Sequence, residues 1–363
     1  MVRGSGISPV RVLIVDDSAM IRKVLSMGLA SDPGIEVVGT ASDGEQALDM
    51  VRTLAPDVIT LDIEMPRIDG VTFLRRLMPE RLVPTVVISG VTSEGADVTS
   101  RALEAGAVDI ITKPSLGTGN GLPQIMTDIC QRVRDAARAN PVIGRSTLQK
   151  RPALQARAFQ SDHVIVIGAS TGGVQALSSM LPTMPENAPA IVIVQHMPEG
   201  FTRSFAKRLD ASCAIHVREA EDGDLVSPGT ALIAPGGKQH LMLRGRRPHL
   251  RVALAEGPPV CFSTPSVDVL FQSAAQVLGV NCAAALLTGM GKDGAEGMLQ
   301  IRQAGGRTIA QDEGSSVVWG MPGQAAAIGA ADHILPLPYI AAALLDPPAA
   351  YLPRYSKKEG MSQ

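Results

Sequence analysis

Short apolar runs alternate with amphipathic segments of helical period twice along this chain, and that alternation allows little besides parallel sheets flanked by helices. The first series opens with a strand-like run at Val10–Val15. Ser18 follows as a candidate helix cap, and Met20, Ile21, Val24, Leu25 and Leu29 recur at helical spacing. Val37–Val38 is predicted as a short second strand, Glu45 to Leu54 as a helix, Val58–Leu61 as a third strand and Val71 to Leu77 as a helix. Val86–Ile88 and Val108–Ile111 supply strands four and five, and Leu122 to Arg138 an amphipathic closing helix. Residues 10–138 are therefore expected to form a doubly wound α/β domain. Residues 139–160, with prolines, scattered basic residues and weak periodicity, are expected to be a linker.

A second alternation spans residues 161–346. Strands are predicted at His163–Ile167, Ala190–Val194 and Ala283–Leu287, and helices at Gly173–Met184, Glu199–Leu209, Val267–Leu278 and Gly294–Ala304. Arg307–Ala310 and His333–Leu335 are expected to close this sheet, and Ile215 to Val252 to carry short strands and Gly/Pro turns. The tail, residues 347–363, has too few apolar residues to pack and is expected to be disordered. A length of 363 residues suits two such domains, and 45% hydrophobic residues can fill two cores.

Functional groups in parallel sheets gather at the carboxyl ends of strands. Asp16 and Asp17 end the first strand, Asp62 the third, Ser89 the fourth and Lys113 the fifth. A single Asp pair at a strand end is more often a turn or cap. Here a carboxylate, a hydroxyl and a lysine stand at successive ends. Three converging carboxylates repel one another and call for a cation, and hard oxygen donors suit Mg²⁺. A carboxylate in such a pocket can take up a phosphoryl group, with Lys113 and the Ser89 hydroxyl to bind it.

The second half carries a different set. Gly168–Gly172 satisfies G-x-S-x-G directly after an apolar run, the context in which a serine is exposed on a strand-to-helix turn. A glycine-rich turn of this kind also suits a phosphate, but GASTGG lacks the G-x-G-x-x-G pattern of dinucleotide sites. His196, after AIVIVQ, is the best placed of six histidines to act as general base toward Ser170. Asp293, in LLTGMGKDG, is expected to orient the imidazole, to cap the helix from Gly294, or both. The glycines around Met290 leave backbone N–H groups for an oxyanion site. The order Ser, His, Asp differs from that of α/β-hydrolases.

VDDS (Val15–Ser18), LDIEMPRIDG (Leu61–Gly70) and TKP (Thr112–Pro114) resemble the receiver domain of two-component response regulators. That resemblance implies Asp62 as phosphoacceptor, a metal held by Asp16, Asp17, Asp62 and the Glu64 backbone carbonyl, and Ser89 and Lys113 in the phosphoryl pocket. Many receivers carry a switch aromatic three residues before the lysine, where this chain has Ile110. GASTGG, QHMP, APGG (Ala234–Gly237), PSVDVLF (Pro265–Phe271), LTGMGKDG and QDE (Gln311–Glu313) closely resemble the catalytic domain of chemotaxis protein-glutamate methylesterases. Together the two cover nearly the whole chain and imply a flavodoxin-like receiver followed by a Rossmann-like methylesterase domain. They imply Ser170 as nucleophile, His196 as base, Asp293 as orienting acid and the Met290 backbone at the oxyanion. The activity implied is hydrolysis of glutamate γ-methyl esters and deamidation of glutamines on chemoreceptors, with no cofactor for the esterase step. The partners implied are the methyl-accepting receptors and a chemotaxis histidine kinase. Two rivals are an output domain that binds a partner and hydrolyses nothing, and a hydrolase of some other ester or amide.

The formal net charge of −2 and 3% aromatic residues argue against a nucleic-acid face. The four cysteines show no C-x-x-C spacing and read as small apolar residues in a reducing compartment. The N-terminal stretch lacks a signal peptide's apolar core, and no apolar run is long enough to span a bilayer, so a cytoplasmic location is expected.

Overall fold

The computed structural model describes residues 8–90, 98, 101–103, 105–113, 122–139 and 163–345. The linker expected over 139–160 and the tail over 347–363 lie outside the described residues, apart from Ala139.

The first sheet consists of β1 (Val10–Val15), β2 (Ile35–Ala41), β3 (Val58–Leu61), β4 (Thr85–Ser89) and β5 (Asp109–Thr112), ordered β2-β1-β3-β4-β5. Every pairing is parallel. β3 and β4 are buried along their whole length, as strands covered on both faces must be. The helix Ala19–Ala30 starts where Ser18 Oγ accepts from Ile21 N–H (3.4 Å), the cap read from the sequence. β2 is longer than the Val37–Val38 run suggests, because its Glu36, Gly39 and Thr40 break the apolar pattern while the backbone still pairs with β1.

The second sheet has seven strands: β6 (Val164–Ala169), β7 (Ala190–Gln195), β8 (His216–Glu219), β9 (Thr230–Ile233), β12 (Cys282–Leu286), β13 (Arg307–Gln311) and β14 (His333–Leu335). Their order is β14-β13-β12-β6-β7-β9-β8, all parallel. The irregular middle section divides in two. β8 and β9 extend the sheet, whereas β10 (Gln239–Arg244) and β11 (Arg251–Glu256) form a separate antiparallel hairpin. The helix expected over residues 173–184 ends at Met180 and continues as a 3₁₀ turn, Leu181–Thr183, at Pro182. Two helices, Met321–Ala327 and Leu337–Leu345, were not anticipated. Leu337–Leu345 is apolar on most sides and packs on the sheet, so it carries little periodicity.

The two sheets share buried contacts. Ala107 and Ile110 belong to the same apolar cluster as Ile165, Ile167 and Val174, and Val317 packs with Val108 and Ile111.

Candidate active site

Two sets of polar side chains lie at the carboxyl ends of the two sheets. In the first sheet, Lys113 Nζ is 2.7 Å from Asp62 Oδ2 and 3.1 Å from Asp16 Oδ2. Asp62 is 2% exposed. Burial pushes its carboxyl up to about 6, with the Asp16 charge adding and Lys113 opposing. Burial disfavours the Lys113 ammonium, but its bonds to Asp62 and Asp16 prevail and raise it above its usual value. Carboxylate oxygens of Asp16, Asp17 and Asp62 lie within 4.8 Å of one another, and within the site Lys113 is the cation that faces Asp16 and Asp62. Such a donor set fits a small hard divalent cation. The Glu64 N–H donates to Asp62 Oδ1 (3.3 Å), which keeps that backbone beside the cluster. Ser89 is buried at the end of β4, one strand from Asp62.

In the second sheet, β6 delivers Ser170 and the adjacent β7 delivers His196, whose N–H donates to Ala169 O (3.0 Å). The serine's turn is compact. Gly173 N–H bonds Ser170 O (2.7 Å), Gly172 has φ +79, and a Cβ on Gly172 would lie 2.5 Å from the Val317 Cβ. Asp293 arrives after β12, on the other side of β6.

Asp293 is 2% exposed and fully partnered. It accepts from His196 Nε2 (2.8 Å), Ser266 Oγ (2.7 Å), Val267 N–H (2.8 Å) and Asp268 N–H (3.0 Å). The last two are the free N–H groups at the start of the helix Val267–Leu278, where the helix dipole also favours an anion. Burial alone would raise this carboxyl, but the bonds from His196, Asp268 and Ser266 hold it below its ordinary value. The sequence left open whether Asp293 orients the imidazole, caps the helix that follows it, or does both. That helix, Ala295–Gln303, instead has Gly294 at its cap and no side-chain bond. The carboxylate serves the N-terminus of a different helix.

With Nε2–H donated to Asp293, Nδ1 of His196 holds the lone pair, and the Ser263 hydroxyl stands 3.4 Å from it. Ser170 lines the same cavity as His196, but its hydroxyl makes no hydrogen bond to the ring among the described residues. Met290 follows Gly289, whose Cβ, if present, would lie 2.8 Å from Ser170 Cβ. The Met290 N–H has no acceptor among the described residues and is free to act as a donor there.

The cavity over Ser170 and His196 has a ceiling from the first domain: Leu103, Val108, Asp109 and Ile110. Its volume is about 10 Å³, enough for a water molecule and too small for an ester. Polar contacts hold the first domain over it. Gly172 N–H donates to Val108 O (3.2 Å), Thr171 Oγ1 to Asp109 Oδ2 (3.3 Å), and Gln175 Nε2 to Leu103 O (2.9 Å) and Ala107 O (2.6 Å).

Several of these participants escaped the sequence reading. Ser266 carried a usable signal, a serine just before an apolar helical run, which is the pattern of an N-cap. Ser263 and Thr171 carried none, since their roles depend on partners 67 and 62 residues away.

A carboxylate–lysine pocket on one parallel sheet, docked over a serine, histidine and aspartate on another, defines a receiver-linked hydrolase. Residues 12–118 match the response regulator receiver domain model, and residues 165–344 match that of the CheB methylesterases. The protein-glutamate methylesterase/protein-glutamine glutaminase 2 of Cereibacter sphaeroides is 56% identical over 337 residues, covering 92% of this chain and 91% of that protein. Protein-glutamate methylesterase/protein-glutamine glutaminase 5 of Anaeromyxobacter dehalogenans is 50% identical, covering 94% and 98%. The crystal structure of the Thermotoga maritima CheB methylesterase catalytic domain, 41% identical, superposes with a TM-score of 0.50 over 51% of this chain and 98% of that one. The chain belongs to the receiver-linked protein-glutamate methylesterase/protein-glutamine glutaminase family. No helix among the described residues is long and apolar enough to cross a membrane.

Proposed function

We propose that this protein hydrolyses glutamate γ-methyl esters, and deamidates glutamines, on the cytoplasmic helices of chemoreceptors, under control of its receiver. The division proposed is a receiver over residues 10–138, a linker over 139–160 and a catalytic unit over 161–346. The observation that carries the reading is the His196–Asp293 pair (2.8 Å), anchored by three further donors to Asp293, with His196 lining the same small cavity as Ser170.

In the proposed reaction Ser170 Oγ attacks the γ-carbonyl carbon of the ester while His196 Nδ1 takes the serine proton. The Asp293 carboxylate stabilises the imidazolium so formed. The oxyanion accepts from the Met290 N–H. The C–O bond to the methoxy group breaks, the leaving oxygen takes the proton from His196, and methanol departs. Water, deprotonated in turn by His196, then releases the glutamate carboxylate and restores Ser170. A glutamine follows the same course with ammonia as leaving group.

In the receiver, the Asp62 carboxylate takes the phosphoryl group from a chemotaxis histidine kinase, Lys113 pairs with its charge and Ser89 donates a hydrogen bond. Asp16, Asp17, Asp62 and the Glu64 carbonyl would hold Mg²⁺, which neutralises charge on the phosphoryl oxygens. Lys113 follows β5 directly, and β5 also holds Asp109 and Ile110 over the cavity. A shift of Lys113 toward phosphate therefore acts on the strand that closes the active site, through Ile110 and the backbone rather than an aromatic rotamer. Undocking frees the Gly172 N–H and lets Ser170 close onto His196. The cytoplasm, where both partners are found, is the proposed location.

The test is methanol release from methyl-labelled receptor membranes, for wild type and Ser170→Ala, with and without a small phosphodonor and Mg²⁺. The expected result is release that requires Ser170 and rises with phosphodonor. Release that persists in Ser170→Ala, or that phosphodonor leaves unchanged, would refute the nucleophile or the control respectively.

A further inference from the structure

The side chain of Phe262 is the most exposed large apolar group among the described residues, at 102% of its reference exposure against 67% for Met27 and Val280. The chain has only six phenylalanines, and Phe73, Phe201 and Phe271 are fully buried. A single exposed apolar side chain is ordinary in itself, but an aromatic ring available beside a reacting group can anchor a partner.

Its backbone is unusual too. Val260 N–H donates to Ser263 O (3.1 Å) and Ser263 N–H to Val260 O (2.9 Å), closing a two-residue hairpin turn. Both central residues, Cys261 (φ +49) and Phe262 (φ +66), lie in the left-handed region. Turns with positive φ at both positions favour Asn and Gly, because a larger side chain crowds the backbone. Such strain persists where function requires the side chain that causes it. No packing among the described residues requires this one, since none of them covers Phe262. The next residue, Ser263, is the one that faces His196 Nδ1 (3.4 Å). The strained turn thus fixes an exposed ring on the residue before Ser263, whose hydroxyl faces the imidazole. Beside it, Gly237, Lys238, Glu256, Gly257, Pro259 and Thr264 line an open groove of about 670 Å³.

We infer that Phe262 and this groove dock the substrate protein, the ring packing against apolar side chains that flank the esterified glutamate on its helix. This rests on the methylesterase reading. A glutamate on a helix brings its neighbours three and four residues away onto the same face, and those neighbours meet the turn. Lys238 and Glu256 offer opposite charges for the polar positions beside them. Phe262 is exposed while the receiver covers Ser170, so the docking surface is accessible before activation.

The experiment compares wild type, Phe262→Ala and Phe262→Trp on methylated receptor membranes across receptor concentrations, and on p-nitrophenyl acetate. Phe262→Ala is expected to raise KM for receptor about tenfold, the worth of one buried aromatic, with the loss in KM and not in kcat. The ratio of receptor to small-ester kcat/KM should fall by the same factor, and Phe262→Trp should restore it. An unchanged receptor KM overturns the inference. Equal losses on both substrates also overturn it, because the turn would then act only by positioning His196. So does an unchanged KM with loss of self-association in sedimentation, which would make the ring a contact between copies. A wild type that cleaves the small ester but releases no methanol refutes the methylesterase reading itself, and this docking site with it.

Discussion

Asp62 sits in a pocket that makes its charge costly. Its folded-state carboxyl is raised to about 6 from an ordinary value of 3.8, with burial as the chief cause. A raised acid binds extra protons in the folded state between those two values. Its contribution to stability is therefore greatest below about pH 4, declines as pH rises toward 6, and stays low beyond, by on the order of 2–3 kcal/mol. In chelator, Asp62→Asn is expected to remove this dependence. Denaturant melts at pH 4.5 and 7.5 should show the variant gaining on wild type at the higher pH. Parallel curves would mean that Lys113 already offsets the whole cost of the charge.

At the scale of elements, the helix Val267–Leu278 does work that no single residue of it could do. Its first N–H groups point at Asp293, and its cap, Ser266, bonds that carboxylate and the Val269 N–H with one hydroxyl. Ser266→Ala removes both bonds. An N-cap loss costs about 1 kcal/mol of stability. The Asp293 carboxylate keeps two backbone donors, so turnover is expected to fall about five- to tenfold rather than vanish. Thermal melts and kcat on a small ester would measure the two effects, and Ser266→Thr should rescue both. Melting unchanged alongside normal kcat would show that the backbone donors alone hold Asp293. The strands were readable because buried parallel strands are continuous apolar runs, and β1, β3, β4, β6, β7 and β12 fall where those runs stand. Met321–Ala327 was not readable, because its Pro322, Gly323 and run of alanines give neither period nor propensity.

For the whole molecule, the important contact joins the two domains. Gln175 holds Leu103 O and Ala107 O with one amide, beside the Gly172–Val108 bond. At about 1 kcal/mol net per bond, Gln175→Ala should loosen the docked state and raise methanol release without phosphodonor about three- to tenfold. Activity with phosphodonor should change less, so the stimulation ratio shrinks. A variant with unaltered basal release would show that the apolar contacts around Ile110 and Val317 carry the docking instead.

The sequence by itself determined which residues stand at strand ends, because apolar runs, turn glycines and the polar residues that follow them are local features of the chain. Asp16, Asp17, Asp62, Ser89, Lys113, Ser170, His196 and Asp293 could all be singled out on that basis. Only the tertiary structure decided which of them meet. It bonded Asp293 to a helix N-terminus rather than to the helix after it, turned His196 Nδ1 toward Ser263, and left the Ser170 hydroxyl beneath the receiver with no bond to His196 among the described residues. Those outcomes depend on contacts between residues 25 to 97 positions apart, set by how sheets and helices pack, and packing over such separations leaves no periodic trace in the order of the amino acids.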